Sequence, residues 1–166
     1  MRESDGYIMC CPVCHMTEVN KTLAWNFQGV KHYFCSTQCL QRFKAHPHLY
    51  VGDPQHGLAP KQKNQVVLKK RRIRLHETID EDLKKTLEGG LKSLMGIKSV
   101  DFEQEDIFVI YDLLEISLDT IEEAIENCAV QLDGRILENI KRGLIHYSEE
   151  CALDNLEHLT KDSHRH

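Results

Sequence analysis

Two pairs of cysteines near the start of the chain carry the residue types best suited to hold a metal. Cys11 and Cys14 are spaced so that a tight turn can aim both sulfur atoms at one point, and Cys35 and Cys39 are spaced to share one face of a helix. Four thiolates gathered in this way form a closed tetrahedral site that suits Zn²⁺. Soft sulfur donors also suit Cu(I) or an iron–sulfur centre, so the residues predict a metal site and leave its ion open.

The residues between the two cysteine pairs predict the elements that would bring the sulfurs together. Segments 22–27 and 30–34 are aromatic and roughly alternating, and Gln28-Gly29 between them favours a β-hairpin. A short helix with Cys39 and Phe43 on one face should follow. A module of about 50 residues buries too little core to be stable by itself, and structural zinc can supply about 10 kcal/mol of folding free energy. The metal would therefore hold this module together.

The rest of the chain has the periodicity of a second, α+β unit. The first predicted elements are a strand at 72–76 and a helix that Thr78 caps, with Glu81 as its capping-box partner, and that Gly96 ends. They are followed by strands at 97–102 and 107–111, a helix that Ser117 caps, a short strand at 129–132 and a long helix from about 134 to 159. The order β-α-β-β-α-β is the ferredoxin-like arrangement.

Charge is distributed very unevenly between the two halves of the chain. Residues 1–75 contain 12 Lys and Arg but 4 Asp and Glu, a net charge of +8, whereas residues 76–166 contain 9 and 22, a net charge of −13. Two modules of opposite sign can attract one another or attract different partners. The alternative is that both are simply solvated surfaces.

The cysteine content and the start of the chain indicate a reducing compartment. Residues 1–6 carry no apolar stretch of signal-peptide length, and no run approaches the roughly 20 apolar residues that span a bilayer. We therefore expect a cytoplasmic protein without membrane insertion, in which paired cysteines indicate metal binding rather than disulfides.

A characteristic set of residues is spread over the segment from Cys11 to Tyr50. It consists of Cys11-Pro12-Val13-Cys14-His15-Met16, Lys31-His32-Tyr33-Phe34-Cys35-Ser36, Cys39, Phe43 and Pro47 to Tyr50. This set resembles the YHS/TRASH family of small treble-clef-like metal-binding domains. The resemblance implies heavy-metal sensing, trafficking or resistance, with Cys11, Cys14, Cys35 and Cys39 as the ligands. The family usually has glycine where this chain has His15, which is either an added ligand or a surface side chain.

A second resemblance covers the segment from Val66 to about Leu132. Gly96-Ile97-Lys98-Ser99-Val100 and Ile121-Glu122-Glu123-Ala124-Ile125 are similar to the framework of the heavy-metal-associated (HMA) domain of copper chaperones and metal-pumping ATPases. That family binds metal through a C-x-x-C pair in the loop after its first strand, whereas the corresponding loop here, 75–80, has no cysteine. The resemblance therefore implies the fold, and a docking surface rather than a ligand pair.

A second group of ligand-capable side chains lies in the predicted C-terminal helix. His146, Glu150, Cys151 and Asp154 are spaced to lie on adjacent turns, and imidazole and carboxylate donors together can hold Zn²⁺, Fe²⁺ or Mn²⁺. The alternative is a solvated acidic helix face with Cys151 turned to the core.

Other functional classes have less support in the sequence. The basic run at 69–74 suggests phosphate contacts, but it lies on or before a predicted strand. The preferred explanation is that its charges keep an exposed edge strand soluble or dock the acidic helix. Nucleic acid is therefore not expected as a partner. No Ser-His-Asp order, phosphate loop or H-E-x-x-H motif is present, so we do not expect an enzyme.

These observations predict an α+β protein that handles heavy metals. We divide it into a treble-clef-like module at 1–57, a linker at 58–65, a ferredoxin-like domain at 66–133, a C-terminal helix at 134–160 and a polar tail at 161–166. Zn²⁺ is the favoured ion, with Cu(I) or another heavy metal as the alternative. The expected role is that of a chaperone, buffer or accessory to a metal transporter or regulator. The competing role is a structural-zinc module that binds a partner protein or forms a homodimer.

Overall fold

The computed structural model describes residues 9–128, 132 and 134–158. These residues form an α+β structure with two antiparallel sheets and four α-helices. In chain order the elements are β1 (Asn20–Phe27), β2 (Val30–Phe34), α1 (Thr37–Ala45), a 3₁₀ turn (Pro47–Leu49), β3 (Leu68–Arg74), α2 (Glu81–Lys92), β4 (Ile97–Glu103), β5 (Asp106–Asp112), α3 (Leu118–Asn127) and α4 (Ile136–His158).

The first sheet is the predicted hairpin of β1 and β2. Its turn residues Gln28 and Gly29 have φ values of +51° and +79°, the left-handed pair that a tight two-residue turn requires. Trp25 lies opposite His32 in the register. The hairpin therefore delivers the end of β2 directly to Cys35.

Helix α1 follows β2 and confirms the predicted short helix. Ser36 is its N-cap, and the Ser36 hydroxyl accepts a hydrogen bond of 3.3 Å from the backbone N–H of Cys39. Cys39 and Phe43 lie on the buried face, each 0% exposed. The helix ends at Ala45, two residues before Pro47, which cannot donate a backbone hydrogen bond.

The second sheet has the strand order β3-β5-β4, with all neighbours antiparallel. Alternate residues of the central strand β5 (Ile107, Val109 and Tyr111) are 0% exposed, so one face of the sheet is covered. Leu132 makes an isolated antiparallel bridge to Leu75, just past β3. Of the strand predicted at 129–132, positions 129–131 lie outside the described residues, as does the tail at 161–166.

The ends of α2 differ from the sequence prediction. Asp80, not Thr78, is the N-cap, because its carboxylate accepts a hydrogen bond of 2.7 Å from the backbone N–H of Leu83. The backbone N–H of Ile79 is bonded instead to the carbonyl of Gln104, which holds the preceding residues outside the helix. The helix ends at Lys92, before the predicted Gly96.

The start of α3 depends on another helix. Ser117 occupies the N-cap position as predicted, but its side chain makes no capping hydrogen bond. The backbone N–H of Leu118 is satisfied instead by a carboxylate oxygen of Glu149 from α4, at 3.0 Å. Glu149 is 2% exposed and also accepts a hydrogen bond from the Tyr111 hydroxyl. Helix α4 is thereby fixed to both the sheet and α3.

The cysteine-bearing part of the chain packs against the loops before β4 and after β5. Gln38 makes two hydrogen bonds to the backbone of Met95, of 2.9 and 3.1 Å, and Arg42 donates one to the carbonyl of Leu113. The Tyr50 hydroxyl donates to the buried carbonyl of Leu114. These contacts hold α1, which carries Cys39, against the loops at the ends of β4 and β5.

The segment predicted as a linker is part of this interface. Residues 59–61 are buried, and the Lys61 ammonium lies 3.3 Å from Asp112 and 2.5 Å from Glu115. A buried ammonium requires such partners because an unpaired buried charge is costly. Within the part of the chain described, no helix combines the length and apolar character needed to cross a membrane.

Candidate metal centre

The first cysteine pair lies in a tight turn before β1. The backbone N–H of Cys11 donates to the carbonyl of Met16, and that of His15 donates to the carbonyl of Cys11, each at 2.8 Å. The turn requires a left-handed residue, and His15 takes that position with φ +62°. These bonds hold Cys11 and Cys14 so that their side chains converge.

The second cysteine pair is presented by the end of β2 and the first turn of α1. Cys35 directly follows the last residue of β2, and Cys39 lies one helical turn later. The Ser36 cap between them fixes where the helix begins. The hairpin and the capped helix together carry the second pair of sulfurs to the first.

The four sulfur atoms of Cys11, Cys14, Cys35 and Cys39 all lie within 4.8 Å of one another. The Cys14 and Cys35 sulfurs are 3.4 Å apart, and the Cys35 and Cys39 sulfurs are 3.6 Å apart. A tetrahedral zinc site with Zn–S bonds of about 2.3 Å requires sulfurs about 3.8 Å apart. Small adjustments of the side chains would therefore place an ion at bonding distance from all four. The structure thus brings together the four residues proposed as ligands.

Burial divides these four residues into two pairs. Cys11 and Cys39 are 0% exposed, whereas Cys14 and Cys35 are half-buried. Around the buried side lies an aromatic cluster in which the ring of Phe43 is 5.1 Å from that of Phe34 and 5.9 Å from that of Tyr50. The Cys11 and Cys39 side of the site is therefore buried, and the Cys14 and Cys35 side is partly accessible to solvent.

Proximity perturbs the ionisation of the four thiols. Hydrogen bonds from Cys14 and Cys39 lower the pKa of Cys11, so this thiol is the first to ionise. The hydrogen bond to Cys11 raises the pKa of Cys14 to about 12 and also raises the pKa of Cys39, with burial acting in the same direction.

The remaining cysteines and His15 lie outside this group. Cys10 is exposed, whereas its neighbour Cys11 is buried within the four-sulfur cluster. Cys128 and Cys151 are half-buried elsewhere in the fold. His15 is exposed and is not among the clustered ligand atoms.

The four side chains predicted as ligands on α4 do not share one set of contacts. His146 contacts Glu122 at 2.8 Å, and burial raises the pKa of that carboxyl while His146 opposes the shift. Glu150 contacts His46 at 3.4 Å, and Cys151 is half-buried. Joint coordination by His146, Glu150, Cys151 and Asp154 therefore stays a prediction.

A different group forms around Asp154. One ligand atom from each of His46, Asp154 and Glu157 lies within 4.8 Å of the other two. Sequence reasoning missed His46 and Glu157, which are separated by more than a hundred residues. No local spacing could have connected them, because it is the packing of α4 against the 3₁₀ turn that starts beside His46 that brings them together.

The basic run on β3 is engaged in ion pairs. Arg72 and Arg74 both contact Asp106 of the neighbouring strand at 3.1 Å, and Arg71 contacts Glu149 of α4 at 3.5 Å. The contact of Arg71 agrees with a role for this run in docking the acidic helix. The cysteine-free loop at 75–80 carries His76, which is exposed.

Two groups of side chains could therefore hold a metal ion: the four sulfurs, and the group of His46, Asp154 and Glu157. Thiolates suit soft and borderline ions, and imidazole with carboxylates suits borderline and harder ones. No protein-family model, no curated protein and no solved structure matches this chain.

Proposed function

We propose that this protein binds a thiophilic metal ion, Zn²⁺ or alternatively Cu(I), and acts in metal homeostasis as a chaperone, buffer or transporter accessory. The observation that carries the proposal is the convergence of Cys11, Cys14, Cys35 and Cys39 within 4.8 Å. Deprotonated sulfurs would hold the ion, with Cys11 ionised first. The metal-bound protein would then deliver or store the ion.

The exposed edge of the site supports exchange of the ion with an acceptor. Cys14 and Cys35 are half-buried, so a thiolate from another protein can approach the ion from their side. The ion would exchange its ligands one at a time, while the sulfurs of Cys11 and Cys39 stay bound to it. Transfer by this route requires no unfolding of the module.

The proposal includes the two family resemblances. For a YHS/TRASH-type, treble-clef-like module, the supporting observation is His15, whose φ of +62° is the conformation that favours the family's glycine. For a ferredoxin-like, HMA-type domain, the support is the strand order β3-β5-β4 with Leu132 bridged to Leu75 on the far side of β3. Because the loop at 75–80 has no cysteine, this domain would serve as a docking surface.

A second candidate function is a structural-zinc module that binds a partner protein without transferring metal. The complete burial of Cys11 and Cys39 beside the aromatic cluster favours it. A closed four-thiolate site is also typical of structural zinc. In that case loss of the ion would unfold the first module rather than leave it ready to bind another.

The first test is the metal content of anaerobically purified protein. We expect the Cys35→Ser/Cys39→Ser variant to hold about one ion per chain fewer than the wild type. Cys10→Ser is the matched control, since it removes an exposed thiol outside the cluster and should leave the content unchanged. A wild type that holds neither zinc nor copper after reconstitution with each would refute the proposal.

Competition with a chromophoric chelator separates the two functions. A transfer site should release its ion at a rate that depends on chelator concentration, while the fluorescence of Trp25 stays that of the folded module. A structural site should release it only as fast as the module unfolds, so the fluorescence change and metal loss would coincide. The single tryptophan makes this readout specific for the first module.

A further inference from the structure

The C-terminal end of α1 meets α4 at a histidine that the four-cysteine site does not use. His46 caps α1 and is 7% exposed. Its Nε2 lies 3.4 Å from a carboxylate oxygen of Glu150, and its Nδ1 lies 3.6 Å from one of Glu157. Both distances exceed those of an ordinary N–H···O hydrogen bond, about 2.7–3.2 Å. The imidazole thus lies between two carboxylates at ion-pair distance from each.

The carboxylates around His46 come from successive turns of α4. Glu150, Asp154 and Glu157 follow one another at helical spacing, so their side chains project from one face of the helix. Like charges at this spacing repel one another, although His46 and the backbone N–H of His48, at 3.2 Å, already stabilise Glu157. A divalent cation would relieve the remaining repulsion and could take the buried imidazole as a ligand.

We propose that His46, Asp154 and Glu157 form a second metal site, specific for a divalent first-row ion such as Zn²⁺, Mn²⁺ or Fe²⁺. Their ligand atoms already lie within 4.8 Å of one another. Metal–ligand bonds of about 2.1 Å place neighbouring donors about 3 Å apart, so the carboxylates need only move inward. Asp154 is exposed and has the freedom to do so. Glu150 stands beside the site as a further oxygen donor.

The donor set makes this site chemically distinct from the four-cysteine site. One nitrogen and several oxygens suit borderline and hard cations and are poor ligands for Cu(I), which prefers sulfur. A cavity of about 360 Å³ borders His46 and Glu150 and opens to solvent, which gives an ion a route to the imidazole. The inference stands on this geometry alone and does not depend on the proposed function of the cysteines.

An ion at this position would connect the two parts of the molecule. His46 belongs to the module that carries the cysteines, and Asp154 and Glu157 belong to the C-terminal helix. Helix α1 would then have a metal ion near each end, with Cys39 in its first turn and His46 at its cap. Binding at the second site would strengthen the docking of α4 onto the first module.

The test is titration calorimetry with Zn²⁺ on the full chain, after the four-cysteine site has been filled with one equivalent of zinc. We expect a second zinc per chain. Asp154→Asn, at an exposed position that should not affect folding, should weaken this second binding at least about tenfold, and His46→Gln should do the same. Glu138→Gln is the matched control, because it removes a carboxylate from the same helix outside the group and should bind as the wild type does.

Two results would overturn the inference. One is the absence of any second zinc in the wild type at millimolar metal. The other is a second zinc whose affinity is unchanged by Asp154→Asn, which would locate it elsewhere, such as the histidine-containing tail. Neither result affects the first site, whose occupancy is the metal that the wild type holds and the Cys35→Ser/Cys39→Ser variant lacks.

Discussion

At the residue scale, protons and metal compete for the same sulfur atoms. The Cys11 thiol gives up its proton readily, because its neighbours donate hydrogen bonds to the thiolate. Cys14 and Cys39 hold their protons more tightly than an ordinary cysteine does, because each uses its proton in a hydrogen bond to Cys11 and burial acts in the same direction. A bound cation reverses this preference, since its charge stabilises all the thiolates at once.

Metal affinity should therefore rise with pH. Below the raised pKa values of Cys14 and Cys39, both thiols are protonated in the metal-free protein, so binding must expel their protons. We expect the release of at least about two protons per ion, and an affinity that falls steeply as the pH drops from 8 to 6. Competition with a chelator of known pH dependence measures this slope. An affinity independent of pH would show that the thiols are already ionised before the metal binds.

At the element scale, the strands and helices are positioned by residues at their ends. Gly96, just before β4, has a φ of +94°, and a Cβ atom added there would lie 2.8 Å from side-chain atoms of Glu115 and Ile116. The glycine is therefore required both by its backbone conformation and by the close approach of the loop that follows β5. Gly89 in α2 is exposed and has no such neighbour within 4 Å.

These two glycines make a matched pair of substitutions. Gly96→Ala should lower the free energy of unfolding by about 2–4 kcal/mol, through the strained φ and the steric clash. Gly89→Ala should raise it by about 1 kcal/mol, since alanine is the better helix former and nothing obstructs its methyl group. Urea denaturation of the metal-loaded protein measures both. Equal effects of the two substitutions would contradict the packing described around Gly96.

At the scale of the whole molecule, the cysteine-bearing module and the second sheet form one interface. Tyr50 is 1% exposed, and its hydroxyl donates to the carbonyl of Leu114 across that interface. The buried ammonium of Lys61 joins it to Asp112 and Glu115. The opposite net charges of the two halves therefore correspond in part to specific contacts.

Removal of the Tyr50 hydroxyl should weaken this interface. Tyr50→Phe leaves the buried Leu114 carbonyl without its donor, which should cost about 1–2 kcal/mol in the free energy of unfolding. Tyr33→Phe removes the same group from a half-buried position on β2, where water can replace it, and should change stability by less than about 0.5 kcal/mol. Denaturation of the two variants side by side makes the comparison. A Tyr50→Phe variant as stable as Tyr33→Phe would argue against the contact.

The shared interface also predicts cooperative unfolding. Trp25 lies in the first module and is the one tryptophan of the chain, whereas α2, α3 and α4 dominate the far-ultraviolet circular dichroism. In the metal-loaded protein both signals should change at the same denaturant concentration, because neither module buries its side of the interface alone. Two separated transitions would instead indicate modules that fold independently.

The sequence by itself determined the elements that depend on local pattern. The spacing of the four cysteines, the Gln28-Gly29 turn and the stripe of Cys39 and Phe43 are local features, and the hairpin and α1 formed as predicted. Periodicity also located both strands of the β4–β5 pair. These features can be predicted from the sequence because hydrogen bonds and side-chain directions repeat over a few residues.

Only the tertiary structure decided which distant residues meet. Glu149 reaches the start of α3 because α4 packs on α3, and His46 meets Asp154 and Glu157 because α4 packs on the 3₁₀ turn. Lys61 is buried because the predicted linker packs against Asp112 and Glu115 at the end of β5. Each joins residues far apart in the chain, and local spacing carries no information about such contacts. The physical reason is that a buried polar group must find a partner, and the partner available is set by the assembled fold.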